Sequence, residues 1–371
     1  MRGQPQYPMP ELYIGIMSGT SLDGVDAVLA AARGKRLRLI ASVHLTYPAR
    51  LRLRLLGLQQ RGSDELHRSA LLANELSDLY ARAVHRLLAR ARVGARKVAA
   101  IGCHGQTVRH RPRDGYTVQL VNGARLAERT GITVVCDFRN RDVAAGGEGA
   151  PLVPAFHAAM FHRTGRNRAI VNIGGIANVT SLAARGAVTG FDCGPGNALM
   201  DAWIAEKRGT RYDAHGVWAA SGDVLPRLLA KLLAHPFFRR RPPKSTGREE
   251  FNLRWVERAL SGHERPVDVQ ATLMELTALT IARSLRTGAG RAREVYVCGG
   301  GARNRALLSR LSTALPGRRV ATTAALGIAP EHVEALAFAW LARQALKGRP
   351  GNLPAVTGAR GPRVLGAIYP K

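Results

Sequence analysis

The stretch Tyr13-Ile-Gly-Ile-Met-Ser-Gly-Thr-Ser-Leu-Asp-Gly-Val-Asp-Ala-Val-Leu-Ala30 decides how the rest of the chain is read. Two β-type apolar runs flank a short polar turn spaced by glycines, which predicts a hairpin. The turn carries Ser18, Thr20, Ser21, Asp23 and Asp26 among Gly15, Gly19 and Gly24. Bare glycine backbone lets an anion approach, hydroxyls and N–H groups donate to phosphate oxygens, and a carboxylate holds a hydrated cation. The pattern fits a phosphate-handling turn, and it fits equally a surface hairpin whose polar residues satisfy only the turn itself.

The same pattern restarts in the second half, where Arg168-Ala-Ile-Val-Asn-Ile-Gly-Gly-Ile-Ala-Asn-Val-Thr180 reads as strand, Gly-Gly turn and returning strand. Between the hairpins lie helices over residues 63–92, a strand Val98-Ala-Ala-Ile-Gly102 that ends at Cys103-His-Gly-Gln-Thr-Val-Arg-His110, and a strand Thr133-Val-Val-Cys136. That last strand runs into a glycine-rich segment over residues 137–151. Alternating strand and helix argues for an α/β layer fold. Residues at the carboxyl end of such a strand face a ligand crevice, so His104, Gln106 and Thr107 stand where chemistry is expected. Beyond the second hairpin, Gly190-Phe-Asp-Cys-Gly-Pro-Gly-Asn197 reads as a loop feeding a helix, and a further helix covers residues 272–285. A strand Glu294-Val-Tyr-Val-Cys298 then runs into Gly299-Gly-Gly-Ala-Arg-Asn304 and a helix, an arrangement whose bare backbone and helix N-terminus favour a nucleotide. Two glycine turns, one in each half, suit the phosphates of one nucleotide. No GxxxxGK[ST] occurs, nor a GxGxxG after the first strand, which argues against P-loop and dinucleotide-binding enzymes.

At 371 residues the chain suits two domains rather than one core. Its 46% hydrophobic and 22% charged residues are ordinary for a globular protein, and no apolar stretch approaches the roughly 20 residues that span a bilayer. Residues 1–11, with Pro5, Pro8 and Pro10, lack the apolar core and cleavage site of a secretory signal, so a cytoplasmic location is expected. Cys103, Cys136, Cys193 and Cys298 are far apart and form no CxxC, which suggests neither a zinc knuckle nor a disulfide framework. The net charge of +29, from 55 Lys and Arg against 26 Asp and Glu, raises nucleic-acid binding on electrostatic grounds. Most of the excess is arginine within amphipathic segments such as Arg50-Leu-Arg-Leu-Arg54, and aromatics are only 5%, so base-stacking platforms are scarce. A solvated basic surface, with no specific nucleic-acid partner, is the expectation.

Read together, seven stretches resemble the anhydro-N-acetylmuramic acid kinase family of the actin and hexokinase ATPase superfamily, over residues 12–370. They are Ile16-Met-Ser-Gly-Thr-Ser-Leu-Asp-Gly-Val-Asp26, Cys103-His-Gly-Gln-Thr-Val-Arg-His-Arg-Pro112, residues 137–157, Val171-Asn-Ile-Gly-Gly-Ile-Ala-Asn178, Gly190-Phe-Asp-Cys-Gly-Pro-Gly-Asn197, Pro242-Pro-Lys-Ser-Thr-Gly-Arg-Glu249 and Cys298-Gly-Gly-Gly-Ala-Arg-Asn304. The resemblance implies an α/β fold of two RNase-H-like (actin/hexokinase-type) domains flanking an interdomain nucleotide cleft. Residues 1–150, completed by 335–371, would form the first and residues 151–334 the second. It further implies a homodimeric, cytoplasmic phosphotransferase of peptidoglycan recycling that uses ATP and Mg²⁺. Such an enzyme converts 1,6-anhydro-N-acetylmuramic acid, ATP and water into N-acetylmuramic acid 6-phosphate and ADP.

That reaction needs a carboxylate near the attacking water and donors around the phosphates. Asp192 matches the family's catalytic aspartate; on sequence alone it suits a helix N-cap ahead of Asn197-Ala-Leu-Met200 better than a base. Glu334 matches a family glutamate near the sugar. Ser18, Gly19, Thr20, Ser21, Leu22, Asp23, Gly24, Val25 and Asp26 are expected at the β- and γ-phosphates, with Asp23 or Asp26 holding Mg²⁺ through water. Gly174, Gly175, Gly300 and Asn304 are expected to complete the nucleotide site. His104 and Gln106 are expected at the sugar, and Arg139 and Arg141 suit its lactyl carboxylate, since guanidinium matches carboxylate bidentately. The two arginines suit a solvated surface equally well. Cys193 departs from the hydroxyl residue more common after the family's aspartate, which weakens a hydrogen bond and leaves the base intact. Two rival readings keep parts of this picture: an ordinary hexose or amino-sugar kinase acting on a free 6-hydroxyl, and a non-enzymatic actin-like scaffold or basic nucleic-acid binder.

Overall fold

Strands β1 (Glu11–Met17), β2 (Gly24–Arg33) and β3 (Arg36–Thr46) form an antiparallel run in the computed structural model, which describes residues 10–19, 22–34, 36–242, 244–247 and 249–371. The backbone falls into two units. The first comprises Met1–Gly149, Glu334–Asn352 and Ala359–Lys371, and the second Ala150–Val333 and Leu353–Gly358.

In the first unit β4 (Val98–Cys103) lies parallel to β1, and a small hairpin of β5 (Gln106–Arg111) and β6 (Tyr116–Leu120) follows. The strand β7 (Val134–Cys136) then pairs parallel with β4. Tyr13, Ile14 and Ile16 of β1 are buried on both faces, as a central strand flanked by layers requires. The helix Glu65–Ala91 packs Leu72, Leu76, Tyr80, Val84 and Leu87 along one stripe, the three-to-four-residue spacing of an amphipathic helix. Strand β3 was not legible in advance, because its exposed Arg36 and Arg38 belong to a sheet edge, where charge is tolerated and blunts further pairing.

The second unit repeats the order. Strands β8 (Arg168–Ile173), β9 (Ile176–Leu182) and β10 (Thr189–Pro195) are antiparallel neighbours, while β11 (Glu294–Cys298) and β12 (Arg319–Thr322) add in parallel beside β8. The helix Pro266–Gly288, longer than the span expected from sequence, is buried through most of its length and starts with proline at the position where a missing N–H costs nothing. The chain end returns to the first unit, where β13 (Ala367–Tyr369) pairs with β7.

The first sheet runs β13-β7-β4-β1-β2-β3 and the second β12-β11-β8-β9-β10. Numbered within each sheet, the two share the order fifth-fourth-first-second-third with the second strand reversed, and the first sheet adds β13 antiparallel beyond its fifth strand. The shared order is the RNase-H-like arrangement, present twice in an α/β chain. The stretch around Asp192, expected to be a loop, is strand β10 with an irregularity between Asp192 and Gly194. Gly194, at φ +140°, and Pro195 mask its strand character in the sequence. No helix among the described residues is long and apolar enough to cross a membrane.

Candidate functional site

The turn after β1 is built on its own hydrogen bonds. Leu22 adopts a left-handed backbone (φ +55°), donates its N–H to the Gly19 carbonyl at 3.3 Å and buries its side chain. Val25 is fully buried, so both apolar residues pin the turn to the core and offer a ligand only backbone. Thr20 and Ser21 lie outside the described residues. Asp23 is exposed, while Asp26 is paired with His44 Nδ1 at 2.8 Å. Gly15 has a different task from the anion approach expected of it: a side chain there would strike the backbone of the helix Val333–Leu346 at Ala335. A side chain at Gly24 would likewise strike the neighbouring strand at Leu45.

Beneath the turn lies a polar footing. The Ser18 hydroxyl donates to the Gly105 carbonyl at 3.0 Å and accepts from the Tyr80 hydroxyl at 2.9 Å, so this buried side chain locks the turn and is not a free phosphate donor. Gln106 Nε2 donates to the Gly19 carbonyl at 3.2 Å, and its Oε1 accepts from the Tyr47 hydroxyl at 3.1 Å. His104 Nδ1 lies 3.3 Å from the Ser18 carbonyl, and its Nε2 accepts from Arg139 Nη2 at 2.8 Å. Burial and the Arg139 charge push the histidine down to about 3, which keeps it neutral. Nδ1 of His104 and the amide of Gln106 thus support the turn, while Nε2 of His104 meets Arg139.

Arg139 also donates from Nη1 to the Gly149 carbonyl at 2.7 Å. Its burial pushes the guanidinium down to about 10, while the charges of Glu334 and Asp142 favour the protonated form. Glu334 opens the helix Val333–Leu346, which lies against the sheet at Gly15 and Gly102. Arg141 is exposed on the helix Asn140–Ala144 and stands apart from this network.

In the second unit the Gly174-Gly175 turn is knitted to the turn after β10. The Gly174 carbonyl accepts from Asn197 N at 2.8 Å and the Gly175 carbonyl from Gly196 N at 2.9 Å. Gly196 and Gly301 are packing glycines, since a side chain on either would collide with Gly174 O or Ile173. Gly174 and Gly300 differ: a Cβ there meets nothing nearer than 3.5 Å and 3.6 Å. Open backbone at those two positions suits close approach by a ligand. Asn304 Oδ1 accepts from Leu307 N at 2.9 Å and caps the helix Arg305–Ala314, so its oxygen is already engaged.

Asp192 is half-buried in β10 and does not cap a helix; Asn197 occupies that position before Ala198–Arg208. Its N–H donates to the Lys244 carbonyl at 3.1 Å, and its Oδ2 accepts from the Thr246 N–H at 3.0 Å. Burial pushes the carboxyl up to about 7, with the Thr246 N–H and the Lys244 charge pulling the other way. A carboxyl half ionised at neutral pH suits a general base. Cys193 is buried and its thiol is pushed up to about 12, so it is unreactive. Tyr47, Tyr80, Lys244 and Thr246 were missed in the sequence; Lys244 and Thr246 alone carried a signal, as members of the Pro242-to-Glu249 stretch.

Among the described residues no cluster of three or more His, Cys, Asp or Glu side chains can hold a metal by itself. Magnesium bound beside phosphates asks for only one or two carboxylates. Asp23, exposed beside the turn, and Asp26, bonded to His44, are the carboxylates at that place.

The doubled RNase-H-like sheet, the open backbone at Gly174 and Gly300 and a carboxyl raised toward neutrality fit a nucleotide-dependent phosphotransferase of the actin and hexokinase type. The family model described as Anhydro-N-acetylmuramic acid kinase matches residues 11–371. The chain belongs to that family. It is 57% identical over 360 residues to the anhydro-N-acetylmuramic acid kinase of Nitrosomonas europaea, covering 96% of this chain and 99% of that one. It is 58% identical over 360 residues to the same-named protein of Nitrosospira multiformis, covering 96% and 98%. Among solved structures, component A of the (R)-2-hydroxyglutaryl-CoA dehydratase of Acidaminococcus fermentans aligns with a TM-score of 0.49 at 12% identity, covering 89% of this chain and 96% of that one. A likeness of that degree adds nothing to the strand order.

Proposed function

We propose that this chain is an ATP-dependent kinase that opens the 1,6-anhydro ring of 1,6-anhydro-N-acetylmuramic acid and phosphorylates O6, in cell-wall recycling. Water attacks C1 as Asp192 takes its proton, the C1–O6 bond breaks, and O6 accepts the γ-phosphoryl group, leaving N-acetylmuramic acid 6-phosphate and ADP. The backbone of the Ser18–Asp26 turn and the open glycines Gly174 and Gly300 bind the nucleotide. Asp23 or Asp26 would hold magnesium through water, and the ion would supply positive charge against the β- and γ-phosphates. Glu334 and Arg139 are assigned to the sugar side, with Arg141 the exposed cation available to the lactyl carboxylate.

The observation that carries this reading is identity above one half along nearly the whole length of both chains to relatives named for this activity. The test is mass spectrometry of products after incubation with Mg-ATP and the anhydro-sugar in ¹⁸O-water. Label at C1 of a sugar 6-phosphate is expected. Label only in free phosphate, or phosphorylation confined to sugars with a free 6-hydroxyl, would overturn the reading in favour of an uncoupled ATPase or an ordinary sugar kinase. A cytoplasmic homodimer is part of the proposal; sedimentation equilibrium giving a monomer mass near the single-chain 39.9 kDa would remove the dimer.

A further inference from the structure

Residues 244–246 run alongside β10 and touch Asp192 twice, through the Lys244 carbonyl and the Thr246 N–H. The Lys244 side chain turns back over aromatic rings: Nζ stands 4.5 Å from the Phe237 ring centre and 5.8 Å from that of Phe191, and donates to the Phe237 carbonyl at 3.3 Å. Phe191 is the residue directly before Asp192. Thr246 is fixed in turn by its hydroxyl, which donates to Glu250 Oε2 at 2.5 Å, and Glu250 lies beside His235 and Arg240 at 3.9 Å. The ring of Phe251 stacks on Phe238 at 5.4 Å and anchors the far end.

We infer that residues 244–246 form a strap that positions the Asp192 carboxylate and sets its proton affinity, with Lys244 supplying the charge and Thr246 the orienting hydrogen bond. The inference rests on Asp192 being the general base. The charged and titratable groups around the pair are Lys244 itself, Cys193, Glu250, His235, Arg240 and Arg283. Of these, Lys244 is the cation carried by the segment itself, its Nζ 5.8 Å from the ring of Phe191 next to Asp192, and its charge opposes the effect of burial on the carboxyl. The arginines act on Lys244, and Glu250 acts through Thr246. Asp192 thus gains ionised population near neutral pH from a side chain that takes no proton from the substrate. Lys244 is a positioning residue, and Asp192 is the catalytic one.

The test is the pH dependence of kcat/KM, between pH 5.5 and 9, for the full-length chain and its Lys244→Met, Lys244→Arg, Thr246→Val and Asp192→Asn variants. Lys244→Met is expected to move the acid limb upward by about half to one pH unit, with KM for ATP little changed, while Lys244→Arg leaves the limb in place. Thr246→Val is expected to lower kcat several-fold without moving KM for ATP. Lys244→Gln replaces Lys244→Met if circular dichroism shows the latter unfolded. An unmoved limb in a folded Lys244→Met or Lys244→Gln variant, or an equal shift in Lys244→Arg, would overturn the strap. Those outcomes count against the strap alone if Asp192→Asn abolishes turnover; an active Asp192→Asn variant would overturn the reading of Asp192 as base and the strap with it.

Discussion

Arg139 donates to Nε2 of His104, and this one bond decides which nitrogen of the histidine carries the proton. A guanidinium only donates, so Nε2 must accept and the hydrogen sits on Nδ1, facing the Ser18 carbonyl at 3.3 Å. The imidazole ring also packs at 4.8 Å on Phe338, in the helix that Glu334 opens. One neutral side chain therefore ties the turn after β1 to the arginine and helix on the proposed sugar side.

His104→Ala should leave the Ser18 carbonyl and two Arg139 nitrogens without their partner. Leaving buried polar groups unpaired costs about 1–3 kcal/mol, so ATP affinity is expected to fall by about tenfold or more. Calorimetric titration with a non-hydrolysable ATP analogue checks this; wild-type affinity would show that the turn holds its shape without the histidine.

Burial holds His157 neutral to about 3 and His110 to about 4, as it does His104. Unfolded, each titrates near 6.5. Above that pH neither state is protonated; below it the unfolded chain binds protons that the folded chain refuses, so stability is lost as pH falls from 6.5 toward 4. Asp192 and Asp137, both raised by burial, act in the opposite sense and reduce the slope. His157→Gln removes one histidine and should flatten the decline by about 1.4 kcal/mol per pH unit. Urea unfolding at pH 5 and pH 7 measures it, and an identical slope in the variant would refute the assignment.

Asp192→Asn keeps the size of the side chain and removes the base. Turnover should fall by orders of magnitude while ATP binding persists. In the unaltered chain, kcat/KM should rise with pH through about 7, because the carboxyl must be ionised to accept a proton. A pH-independent rate from pH 5.5 to 8 would remove Asp192 from the proton transfer.

Gly15→Ala should destabilise the first unit by about 3 kcal/mol or more, since the added carbon meets helix backbone at Ala335 and not a side chain that can rotate away. Thermal unfolding reads this directly. Gly131→Ala is the control for backbone strain without collision, as its left-handed φ of +64° has open space around it. Equal losses in the two variants would mean that collision adds nothing.

The sequence by itself determined the doubled α/β plan, the two glycine hairpins and the family, because these rest on local periodicity and on motifs whose residues are neighbours in the chain. Even there, burial changed the reading of single residues. Gly15 and Gly24 stand in a phosphate-like pattern, yet both serve packing between elements far apart in sequence. Ser18 looks like a donor to phosphate until Tyr80, 62 positions away, and Gly105 take up its hydroxyl. The proton affinity of Asp192 depends on a carboxyl withdrawn from water and on Lys244 and Thr246, more than 50 positions further along the chain. Desolvation and long-range hydrogen bonds are properties of the folded arrangement, so only the tertiary structure decided which polar residues stand free for chemistry and which hold the others in place.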